Sequence, residues 1–93
     1  PAVCKLELLE ALARVLPGGL GGVILSGSGS DAVESALKTA LIATGKPGVV
    51  AFEGAYHGLG LGALDATHRD DFRAPFRSRL AGRTSFVPFG EGT

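Results

Sequence analysis

Apolar and polar positions follow two rhythms along this chain. In residues 3–16, VCKLELLEALARVL, Leu6, Leu9, Ala13 and Leu16 recur at spacings of three and four. Leu8, Leu12 and Val15 widen that stripe, and Glu10 and Arg14 lie four apart on the polar side. The spacing predicts an amphipathic helix over 3–16, ended by PGGLGG, which a helix cannot continue cheaply. Residues 22–26, GVILS, are apolar in succession and predict a strand covered on both faces. Residues 31–43 return to the helical rhythm, with Val33, Ala36, Leu37, Ala40 and Leu41 on one side and Glu34 and Lys38 four apart. After the TGKPG turn, VVAFE at 49–53 predicts a second strand. Strand, helix and strand joined by short turns make a βαβ unit with a right-handed crossover. Residues 54–80 read as loop and short helix, broken at Pro75. TSFVPF at 84–89 predicts a third strand, with Pro88 marking its end or an edge. The fold class expected is α/β, a mainly parallel sheet with flanking helices.

Composition narrows this picture. The chain has 93 residues, 45% of them hydrophobic, with nine basic and nine acidic side chains that cancel. A chain this short is one small domain or an internal piece of a larger one, and a piece is what its Pro1 start and FGEGT end suggest. The charge balance offers no nucleic-acid surface. No apolar run reaches the roughly 20 residues of a membrane span. The single cysteine, Cys4, has no partner for an internal disulfide, and no signal-like N-terminus is present. A reducing, cytoplasmic setting is expected, with Cys4 a small core residue.

The chemistry concentrates in VILSGSGSDAVESALKTAL, residues 23–41. A strand feeding a helix through glycine and serine leaves N–H groups exposed at the helix start, where the dipole also favours an anion. Gly27, Ser28, Gly29 and Ser30 supply close backbone approach and hydroxyl donors. In the simplest reading Ser30 is an N-cap and the glycines only turn the chain. Two ligand readings stand beside it. GSGSDA fits the dinucleotide fingerprint G-x-G-x-x-G/A, and Glu53 ends the next strand where a ribose-binding acid belongs, so an NAD(P)-dependent oxidoreductase is one alternative. The other is a monophosphate on a flat heteroaromatic ring. Tyr56 follows the second strand and therefore sits near the carboxyl edge of the sheet, where the glycine–serine turn also arrives. A ring that stacks there, with a phosphate held by the turn, describes pyridoxal 5'-phosphate (PLP).

SGSGSDAVESALKTALIATGKPGVVAFEGAYHG strongly resembles the class III aminotransferases of PLP fold type I, whose pattern here is S-G-S-E-A-x-E-x-A-x-K, a T-G-[KR] turn, and a strand ending in F-x-G-x-Y-H-G. The resemblance covers nearly the whole chain. It implies part of the large, cofactor-binding domain, with Gly29 and Ser30 holding the cofactor phosphate, Tyr56 stacking on the pyridine ring and His57 beside it. Glu34 matches the helix glutamate of the motif, with a structural role. Asp31 stands where glutamate is usual, Gly27 where many members have asparagine or threonine, and Leu59 where many have arginine. The family's Schiff-base lysine and its pyridine-pairing aspartate lie further downstream. Lys5, Lys38 and Lys46 do not match the first, nor Asp65, Asp70 and Asp71 the second. The resemblance thus implies a homodimeric enzyme that moves an amino group from an amino donor to an oxo-acid or aldehyde acceptor. It implies no catalytic residue within this stretch and no activity of the stretch alone. Aminomutation and racemisation run on the same scaffold.

The remaining polar residues suggest little chemistry. His57 and His68 are eleven apart with no cysteine between them, so no metal site is expected. Ser28, His57 and Asp65 lack the G-x-S-x-G elbow of a hydrolase. Arg69, Arg73, Arg77, Arg79 and Arg83, interleaved with Phe72 and Phe76, read as a solvated helix with a buried phenylalanine side.

Overall fold

The computed structural model describes residues 2–20 and 22–90, so Gly21 of the PGGLGG turn lies outside it. Helix α1 spans Ala2–Val15 and helix α2 spans Gly29–Thr44. Strand β1, Val49–Phe52, pairs in parallel with strand β2, Thr84–Val87, in the register Val49 to Thr84 through Phe52 to Val87. Between the strands run α3, Leu61–Asp65, then α4, Asp70–Arg73, continued by a 3-10 helix, Ala74–Arg79. Pro75 explains that change: it removes one backbone donor and its ring disfavours a regular α-turn. Pro88 directly follows β2, and the missing N–H stops the ladder there.

Helix α2 is bounded by its own local chemistry. Ser28, in extended conformation, is the N-cap, and its Oγ accepts from the Asp31 N–H at 3.1 Å. The Asp31 carboxylate in turn accepts from the Gly27 N–H at 3.1 Å, a reciprocal closure of the kind made in a capping box. At the other end Gly45 takes φ 69° and returns its N–H to the Leu41 carbonyl, a left-handed C-cap open to glycine at little cost. The N-cap is therefore Ser28 rather than Ser30, and the helix opens two residues earlier than the apolar rhythm alone places it. A cap is decided by backbone geometry, to which hydrophobic spacing is blind.

Three other expectations are corrected. Residues 22–26 form no strand, because a strand needs a ladder partner and the one available to β1 is β2. The parallel crossover accordingly runs from β1 to β2 through α3 and α4, not from 22–26 through α2. Cys4 is exposed, since no residue of α1 is buried and only Leu9, Leu12 and Leu16 of its region are partly covered. Glu34 does not reach for Lys38 but turns to the backbone of α3.

The small core is centred on α3, which packs against α2. It holds Ala51, Ala63, Leu64 and Ala66, with Asp65 and Thr67 buried among them. Asp65 is a polar strut: its carboxylate accepts from the Gly82 and Arg83 N–H groups at 3.0 and 3.1 Å and from the Thr84 hydroxyl at 3.2 Å. Arg73 donates to the carbonyls of Leu64, Asp65 and Thr67 at 3.0, 2.6 and 3.0 Å. It also lies 3.9 Å from the Asp65 carboxylate and over the Phe86 ring. These bonds tie the end of α3 to the start of β2, which fixes the path of the crossover.

Candidate functional site

The loop after β1 is held from two sides. Gly54 adopts φ 83° to turn the chain away from the strand. Its N–H donates to His68 Nδ1 at 2.6 Å, and the His68 N–H donates to the Ala55 carbonyl at 2.7 Å. The His68 ring rests on Phe86 of β2, with centroids 4.7 Å apart. His68 thus clamps the turn that launches Tyr56. Thr67, fully buried, accepts from the His57 N–H at 2.9 Å and donates to the Ala63 carbonyl at 2.9 Å. The first of these bonds fixes the backbone of His57. Tyr56 itself leans on Phe72 at 5.1 Å, tilted 59°, yet 48% of it stays exposed. Its ring is positioned without being used up.

The same loop then crosses the start of α2. A Cβ on Gly58 would stand 2.5 Å from Ser30 Oγ, so two residues after Tyr56 the chain touches Ser30. The Gly60 N–H donates to Ser30 Oγ at 3.0 Å. The pair Gly29 and Ser30 and the pair Tyr56 and His57, 26 or more residues apart along the chain, are therefore brought to neighbouring positions beyond the carboxyl end of β1.

This gathering has the chemistry of an anion cradle. A helix leaves its first four N–H groups without intrahelical partners. Here Ser28 satisfies Asp31 through its hydroxyl and Ala32 through its carbonyl. The N–H groups of Gly29 and Ser30 donate to no acceptor among the described residues. A Cβ on Gly29 would meet nothing within 4 Å, so space is open over those donors. The Ser30 hydroxyl accepts from Gly60, and its own proton is uncommitted among the described residues. Thr39 and Thr44 of the same helix differ, spending their hydroxyl protons on the Ser35 and Ala40 carbonyls. Asp31 does not obstruct the cradle, because its carboxylate is turned back to the Gly27 N–H. Two backbone donors, one hydroxyl donor, a helix dipole and open space fit a phosphate ester, and an exposed aromatic ring nearby fits a flat heterocycle attached to it.

Other constellations are not assembled. Among the described residues no group of three His, Cys, Asp or Glu side chains is placed to hold a metal. Ser28 caps α2 and Asp65 bonds residues 82–84, so neither engages His57. Among the arginines, Arg77 pairs with Asp70 and Arg69 lies over Phe72. Phe72 is half-buried there, whereas Phe76 is exposed. A hollow of about 400 Å³ lined by Leu37, Leu41, Pro47 and Val49 lies at the opposite, amino end of the strands, and Lys38 and Lys46 line it. The hollow also takes in Glu34, Leu61 and Gly62. In a dinucleotide-binding βαβ unit the strand before the glycine turn lies beside the strand after the helix. Here residues 22–26 pair with neither strand, so that arrangement is missing.

Gly58, Gly60, Thr67 and His68 support the site without having stood out in the sequence as its parts, whereas Glu34 was marked by the motif as a structural residue. The one available signal for the glycines was their period-two run in HGLGLG.

Comparison with known proteins agrees with this geometry. An acetylornithine aminotransferase of Methanosarcina mazei is 42% identical over 85 residues, which cover 91% of this chain and 21% of the relative. A [LysW]-aminoadipate semialdehyde/glutamate semialdehyde transaminase of Sulfolobus acidocaldarius is 41% identical over 85 residues, 91% of this chain and 22% of the relative. The crystal structure of the omega transaminase from Pseudomonas jessenii in complex with PMP superposes with a TM-score of 0.74 at 25% identity, over 90% of this chain and 20% of that one. The chain thus spans about a fifth of the length of these relatives. The profile of the family described as aminotransferase class-III matches residues 3–91, and the chain belongs to that family.

Proposed function

We propose that this chain is part of the large, cofactor-binding domain of a PLP-dependent aminotransferase that moves an amino group from an amino donor to an oxo-acid or aldehyde acceptor. The observation that carries the reading is the Ser30 hydroxyl, fixed as an acceptor by Gly60 and left as a donor beside two unspent helix N–H groups. Gly29 and Ser30 hold the cofactor phosphate through those N–H groups and the hydroxyl. Tyr56 covers the pyridine ring and orients it, and His57 lines the same edge. When bound, the cofactor supplies the electron-withdrawing ring on which amino-group chemistry depends. The residues of this chain bind and aim it; the lysine that bonds it covalently belongs outside residues 1–93. The activities named for the relatives, on acetylornithine and on semialdehydes, support an aminated carbon chain as substrate. The parent enzyme is a cytoplasmic homodimer in this reading.

The test uses the full-length protein. It is expected to bind pyridoxamine 5'-phosphate and to transaminate in its PLP-loaded form. Ser30→Ala should weaken binding of the phosphorylated vitamer about tenfold, the worth of one hydrogen bond to a charged group. Binding of a nicotinamide dinucleotide in place of the vitamer, or an unchanged affinity in Ser30→Ala, would overturn the proposal.

A further inference from the structure

We infer that Glu34 is a positioning residue for the phosphate cradle, acting through the glycine run 58–62; the inference rests on the cofactor reading above. Ser30 and Glu34 are four apart on α2 and so share one face, a turn from each other. Both project into the segment HGLGLG. A Cβ on Gly58 would stand 2.5 Å from Ser30 Oγ and 2.9 Å from its Cα. A Cβ on Gly60 would lie 2.9 Å from Glu34 Oε1, and one on Gly62 would lie 2.9 Å from Oε1 and 3.0 Å from Oε2. Gly60 and Gly62 form a notch that the Glu34 carboxylate fills, while Gly58 makes room for Ser30. Its Oε1 accepts from the Ala63 N–H at 2.5 Å.

This seat explains more than local packing. One turn of α2 holds the end of the loop and the start of α3, through Gly60 N–H to Ser30 Oγ and Ala63 N–H to Glu34 Oε1. The first contact occupies the Ser30 oxygen and directs its proton outward. The second keeps the loop close enough for the first to form. Leu59 and Leu61 alternate with the glycines and are exposed at 55% and 46%, so the leucines do not anchor the loop. The carboxylate does. Without it the Gly60 N–H loses its fixed distance from Ser30, and the hydroxyl becomes a free rotor at the point where it must donate.

The experiment compares affinities of the full-length apoprotein for pyridoxamine 5'-phosphate and for pyridoxamine, by calorimetry. Glu34→Ala should weaken the phosphorylated compound about tenfold and pyridoxamine less than about twofold, as expected when one charge-assisted hydrogen bond to phosphate is lost. Glu34→Gln keeps an oxygen for the Ala63 N–H and should stay within about threefold of the parent. Equal loss for both ligands would make Glu34 a residue of the fold alone and overturn the inference; so would no loss. Should Glu34→Ala not fold, Glu34→Asp, one methylene shorter, makes the same comparison. Hydrogen exchange on the unmodified protein gives a second check. Gly60 and Ala63 amides should exchange at least about tenfold more slowly than that of Leu61, and unprotected amides would refute the latch. An unmodified protein that binds the two compounds equally would instead overturn the cofactor reading, before any variant is made.

Discussion

At the scale of single residues, the structure separates side chains that hold the cradle from those that form it. Thr67 and Asp65 belong to the first group. Thr67→Val keeps the shape but removes the acceptor for the His57 N–H and the hydroxyl donated to Ala63. A buried donor left unpaired costs about 1–3 kcal/mol. Denaturant unfolding of the full-length protein should show that loss, with faster exchange of the His57 amide. Asp65→Ala should cost more, about 3 kcal/mol or above, because it strands Arg73 and three donors at the start of β2 at a buried position. An Asp65→Ala midpoint equal to that of the parent would contradict the strut. Ser30 and Tyr56 belong to the second group. Both are only partly covered by their neighbours, as residues that meet a ligand must be.

At the scale of elements, α2 is specified almost entirely by local chemistry. The Ser28 cap, the reciprocal Asp31 bond and the left-handed Gly45 define both ends without help from the rest of the fold. Gly45→Ala is therefore expected to destabilise the protein by about 1–2 kcal/mol, the cost of a Cβ in left-handed conformation, and Ser28→Ala by about 1 kcal/mol. Thermal unfolding of the two variants checks both values. Strand β1 has the opposite character. It exists because β2 offers a parallel ladder, and residues 22–26, with an equally strand-like composition, remain unassigned for want of one.

At the scale of the whole molecule, much apolar surface stays exposed. Val3, Leu6 and Val15 on α1 are open to solvent, as are Ile24, Ile42 and Val50, which is 72% exposed. The radius of gyration is 15.8 Å, against about 12 Å for a compact domain of this length. So little is buried that conformational entropy is poorly offset. Expressed as residues 1–93 only, the chain should bind a hydrophobic dye, melt without a cooperative transition and show no transamination. A sharp calorimetric transition from that chain would contradict this expectation.

The apolar rhythm by itself determined where α1 and α2 lie, because a helix satisfies its own hydrogen bonds and needs only a spacing of three and four. Sequence also offered Gly29, Ser30 and Tyr56 as candidate cofactor ligands, since helix-start donors and an aromatic after a strand are local features, and it offered His57 through the family resemblance alone. Only the tertiary structure decided which strand pairs with β1, that Cys4 lies outside the core, and that Glu34 seats against two glycines more than twenty residues away. Each of those depends on a partner distant in the chain, and ladder pairing, burial and close contact are properties of two segments together rather than of either one.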